Sequence, residues 1–81
     1  MSQTNKQLIT EDGWVDLGAG PMRLEVKNDF VLSYYGTAAP TDYDKEKYHE
    51  EVGDVPYPWT DNVYVYNPNP GVPINIVWTT E

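Results

Sequence analysis

Residues 62–81, NVYVYNPNPGVPINIVWTTE, are the stretch on which the fold turns. Val63 and Val65 alternate with Tyr64 and Tyr66, and after NPNPG the residues Val72, Ile74, Ile76 and Trp78 alternate with Pro73, Asn75, Val77 and Thr79. Side chains that alternate with a period of two belong to strands. Proline, asparagine and glycine between two such runs predict a hairpin with a stiff tip. If the loop is Asn67 to Gly71, Tyr66 opposes Val72 and Tyr64 opposes Ile74, and another loop register would change these pairs. Pro73 favours a sheet edge at the start of the second strand.

The same period runs upstream. WVDL from Trp14 reads as a short strand, interrupted by GAGP at 18–21. In MRLEVK, Met22, Leu24 and Val26 face one way while Arg23, Glu25 and Lys27 face the other, the pattern of a half-buried antiparallel strand. Asn28-Asp29 tolerate positive φ and predict a tight turn into FVLSYYG. Phe30, Leu32 and Tyr34 then share one face of the return strand and Val31, Ser33 and Tyr35 the other. Tyr34 and Tyr35 must therefore point oppositely, so one ring lies on a face that is outer in a monomer.

The segment from Thr37 to Asp61 differs. It holds seven acids against two lysines, −5 of the chain's net −8. TDYDKEKYHEE has Thr41 as a candidate N-cap, but Tyr43, Tyr48 and Val52 make no broad helical stripe, so a long acidic loop with at most one short helix is expected. Pro56 and Pro58 hold VPYPW extended, suited to a sheet edge. Residues 1–13 are polar and without sustained period. They read as a flexible arm, either frayed or ordered on a neighbour. The fold class is all-β: a small antiparallel β-sandwich or flattened barrel of about five to seven strands over residues 14–81.

Eighty-one residues make one domain, and a chain of this size removes only about 60 to 65 per cent of its unfolded surface from water. Three Trp, seven Tyr and one Phe must supply much of the core. With no cysteine there is no disulfide staple, so self-association as a dimer or trimer is expected. The −8 charge repels phosphate backbones and anionic lipid, which argues against nucleic acid and membrane partners. MSQTNKQLITEDG carries no apolar signal-peptide core, and no apolar run is long enough to cross a bilayer.

The inventory of reactive groups is short. His49 is the one histidine, and Ser2 and Ser33 are the two serines, neither within a nucleophile-elbow glycine pattern. Asp42, Asp44 and Glu46 begin like a calcium loop, but Lys47 stands at its sixth position and Gly53 at its twelfth, where glycine and glutamate are needed. The acids Asp42, Asp44, Glu46, Glu50, Glu51 and Asp54 read as a solvated charge run. GAGP is too short to cradle a phosphate. No catalytic residue, metal site or cofactor is expected. The aromatic residues Trp14, Tyr35, Trp59, Tyr64, Tyr66 and Trp78 are the candidates for contact, either as core and subunit interface or as a platform that stacks on carbohydrate.

The order of signals, GWVDLGAG, MRLEVKND, FVLSYYGTAAP, a variable middle and NVYVYNPNPGVPINIVWTTE, resembles small all-β virion proteins of tailed bacteriophages over roughly residues 13–81. The resemblance is one of pattern, with no diagnostic motif. It implies a decoration, cementing or fibre-attachment domain with no active site, made in the host cytoplasm without a signal peptide and localised to the virion. Its implied partners are the major capsid protein or tail proteins, joined by many repeated weak contacts.

Overall fold

The computed structural model describes residues 3–10, 13–44, 46–69 and 71–80. It is all-β, as expected. Among the described residues six strands follow in the order β1 (Gln3–Ile9), β2 (Val15–Ala19), β3 (Met22–Gly36), β4 (His49–Tyr57), β5 (Asn62–Tyr66) and β6 (Ile74–Thr80), with every pairing antiparallel.

β3 is the spine. Its first half pairs with β6, from Met22↔Thr80 to Val26↔Ile76, and its second half with β5, from Leu32↔Tyr66 to Gly36↔Asn62. β4 lies along the other side of both halves. β1 extends the sheet beyond β6, and β2 extends it beyond β5. The sheet curls on itself, so that residues of both halves meet in one core cluster: Ile9, Met22, Leu24, Val26, Ile74, Ile76 and Trp78 from one, Leu17, Val31, Val63 and Val65 from the other, with Tyr57 between. The molecule is only 17 Å across its short axis, about what two sheet layers near 10 Å apart with their outer side chains require.

Asn28-Asp29 make no hairpin turn. β3 runs on through them, and Asp29 alone takes a left-handed φ of 52°. Val26 pairs with Gly53 and Val31 with Glu51, so residues 27–30 of β3 lie opposite Val52 alone. This bulge bends the ribbon and changes which parity faces inward: Met22, Leu24 and Val26 before it, Val31 and Ser33 after it. Asp29 alone supplies the positive φ that the sequence allowed to both residues, and it does so as a bend within one long strand.

The C-terminal hairpin is likewise corrected. Tyr66 pairs with Leu32 rather than Val72, and Tyr64 with Tyr34 rather than Ile74, which pairs with Ile9. β5 and β6 are two pieces of one course antiparallel to β3, interrupted by residues 67–73 beside the β3 bulge. Two asparagines hold the interruption. Asn28 donates Nδ2 to the Pro73 carbonyl at 3.0 Å and accepts the Asn75 amide at 2.8 Å. Asn67, with no solvent exposure, donates to the carbonyls of Ile9 at 3.0 Å and Val72 at 2.8 Å and accepts the Asn69 amide at 2.8 Å. Polar side chains thus supply hydrogen bonds where the ladder is broken.

Two further expectations change. Residues 3–9 of the supposed arm are strand β1, in one-to-one register with β6, while residues 1, 2, 11 and 12 lie outside the described residues. A ladder needs backbone groups and no apolar period, and Ile9 alone enters the core. The acidic middle contains no helix among the described residues, and its second part is β4, whose Val55 and Tyr57 face inward. The excursion is residues 37–48, of which Lys45 lies outside the described residues.

Candidate functional site

The aromatic residues fall into two groups and a core. On the face of β3 and β5 that looks away from the core, Tyr34 and Tyr64 are cross-strand partners, their rings stacked with centroids 6.4 Å apart. Gly36 makes room for the first of them: a Cβ there would lie 2.8 Å from the Tyr34 ring. The 37–48 excursion folds back over this face. Trp14 meets Tyr48 edge-on at 4.9 Å and Tyr66 at 5.6 Å; Tyr43 packs on Tyr66 at 4.7 Å and Tyr48 on Tyr34 at 5.9 Å. Leu32 is fully buried beside this cluster and outside the main core. The chain itself packs against part of this outer ring, and Tyr34 stays 37% exposed.

Asp42 pins this cover. Its carbonyl accepts the Trp14 indole N–H at 2.9 Å, and its carboxylate accepts the Tyr48 hydroxyl and Lys47 Nζ. The Tyr48 hydrogen bond and the Lys47 charge hold the Asp42 carboxyl below its usual range, and the same bond raises the Tyr48 phenol. Asp44 accepts the Glu46 amide at 2.9 Å. The Asp42 and Asp44 carboxylates are therefore used within the loop, and no three His, Asp or Glu side chains converge as metal ligands among the described residues.

The second group closes the curled sheet. Tyr35 and Trp59 stack in parallel with centroids 4.3 Å apart, and Tyr57 meets Trp59 edge-on at 6.2 Å. Trp59 is placed there by its backbone. A Cβ on Gly20 would lie 2.2 Å from the Trp59 carbonyl oxygen, and the Gly20 amide donates to the Asp61 carbonyl at 3.1 Å, so the 58–61 turn rests directly on glycine. The Tyr57 hydroxyl, buried, donates to Glu51 at 3.0 Å and also meets the Ser33 hydroxyl. Burial first, then the Glu51 charge, pushes this phenol far above the usual tyrosine value.

Between the two groups lies an open cleft of about 350 Å³ lined by Ser33, Tyr34, Tyr35, Lys47, Tyr48 and His49. His49 stands directly opposite Ser33 in the β3–β4 ladder. They meet through the backbone ladder, with no side-chain hydrogen bond between them. The cleft offers ring edges, phenol hydroxyls and an imidazole to a small polar ligand.

Of the sequence candidates, Trp14, Tyr64 and Tyr66 come together on the partly covered outer face, and Tyr35 joins Trp59 at the closure. Trp78 joins neither. It is 8% exposed in the core on β6, so its ring has no face free for a partner. Tyr34, Tyr43, Tyr48 and Tyr57 were missed as members of these groups. Tyr43 and Tyr48 stand within the acidic run, Tyr34 beside Tyr35 and Tyr57 between two prolines, and none of these local settings names a ring partner. Comparison of the chain with models of known families, with curated proteins and with solved structures finds no match.

Proposed function

We propose that this chain is a non-enzymatic structural subunit of a phage virion, a capsid decoration or cementing protein held on the particle by repeated protein–protein contacts. What supports the reading is the use to which the chain puts its distinctive residues. Its rings pack on one another, Asp42 and Asp44 pin a loop, and the β1 edge carries Lys6 as its only charge. Such a module binds through surface and edge, and symmetry multiplies modest contacts into firm attachment. Its location would be the virion, after synthesis in the host cytoplasm. The test is mass spectrometry of purified particles, paired with the heat stability of heads assembled without the protein. Presence in the particle and weakened heads are expected; absence from the particle rejects the reading.

The cleft favours one other reading, a glycan- or receptor-binding module of a tail or fibre. Trp59 is 44% exposed and stacks on Tyr35, whose ring also lines the cleft. Glycan-array binding that is lost in a folded Trp59→Ala variant would support this reading, and silence of the wild type on a broad array would reject it.

A further inference from the structure

Three strands have one side unpaired among the described residues: β1, β2 and β4. Open edges recruit foreign strands unless blunted by charge, proline, bulges or short length. β4 carries Glu50, Glu51, Asp54 and Pro56 and a left-handed Gly53. β2 has five residues, an irregular register and a left-handed Gly18. Of these devices β1 has a single charge, Lys6. Its seven residues run in unbroken register along β6, without proline, glycine or acid.

We infer that β1 is the edge along which a second copy of this chain docks, the two β1 strands pairing antiparallel about a two-fold axis to make one continuous sheet.

The chemistry of the strand is self-complementary. A two-fold axis perpendicular to a sheet sets one residue opposite its own copy. Centred on Asn5, it places Asn5 against Asn5, Thr4 against Lys6, and Gln3 against Gln7 of the second copy. Gln3, Asn5 and Gln7 share the face of their ladder partners Thr80, Trp78 and Ile76. Each amide carries both donor and acceptor, so like can pair with like at no charge cost. Centring on Lys6 would oppose two ammonium groups, which is unfavourable. The charge map agrees. Thirteen acids give each copy −8, yet none lies in residues 1–10 or 62–80. β1 and the β6 strand behind it are therefore where two acidic copies approach with least repulsion.

The test is sedimentation equilibrium of the full chain at physiological salt, over a dilution series reaching millimolar. Twice the chain mass is expected at the upper end, and a monomer throughout overturns the proposal, leaving the edge for a strand of another protein. Asn5→Asp sets two carboxylates across the axis and should return the monomer with an unchanged circular dichroism spectrum. Because the chain has no cysteine, single cysteines read the register independently. Under mild oxidation Asn5→Cys should cross-link at least about tenfold faster than Val52→Cys on the β4 edge, since directly opposed strand residues bring Cβ atoms to about 5 Å. Equal rates at the two positions would also overturn it.

Discussion

Tyr57 shows how one residue ties distant parts of the chain. It sits at the end of β4, yet its hydroxyl reaches Glu51 six positions back along the same strand, which only a curled strand allows. Its phenol is held above the ordinary value near 10, chiefly by burial. An acid whose folded pKa is raised favours its protonated form, so this stability is fully present below about pH 10 and is lost as pH rises beyond it, where the unfolded phenol ionises. Denaturant midpoints of the wild type should therefore fall between pH 9 and pH 11. Tyr57→Phe should flatten that fall while costing about 1 kcal/mol at pH 7 through the lost hydrogen bond; an equal fall in both proteins would refute the assignment. The sequence marked Tyr57 only as one ring between two prolines, because its partners Ser33 and Glu51 are brought to it by the bend.

At the scale of elements, the interrupted strand β5–β6 depends on Asn67 as much as on its alternating residues. Val63, Val65, Ile74, Ile76 and Trp78 all face the core, as their period of two predicts. The partner of each run was not legible. A hairpin and a broken strand along β3 satisfy the same alternation, and the choice lies with the length of β3 and with the hydrogen bonds of Asn28 and Asn67. Asn67→Ala leaves the Ile9 and Val72 carbonyls and the Asn69 amide without that partner and should destabilise by roughly 3 kcal/mol, since each buried unpaired group costs about 1 to 3 kcal/mol before water relieves part of it. Equilibrium urea unfolding reads this directly. A loss below about 0.5 kcal/mol, the usual size for an indifferent surface change, would mean that the loop is held by other means. β1 illustrates the opposite limit: QTNKQLI has no amphipathic signal, and its strand state comes from the waiting edge of β6.

For the whole molecule, one core joins both halves of the curled sheet. Leu24 is fully buried in the β1–β6 half, and Leu24→Ala should cost about 2 to 5 kcal/mol. Because Met22, Leu24 and Trp78 share a cluster with Leu17, Val63 and Val65, amide exchange in β2 and β5 should accelerate as much as in β3 and β6. Unchanged protection of β2 and β5 would show two independent units. The acidic excursion and its tyrosines lie outside that core, fastened by Asp42. What the residues alone determined was the β state of most segments, the inward faces of Met22–Val26 and Ile74–Trp78, and an aromatic content suited to holding a small domain together, because side-chain period and composition are local properties. What only the tertiary structure decided was which strand each run pairs with, that Asn28-Asp29 bend a strand instead of ending it, that residues 3–9 join the sheet, and which rings meet. Those outcomes rest on backbone hydrogen bonds and ring contacts between residues as far apart as Gln3 and Thr80, and no local pattern encodes them.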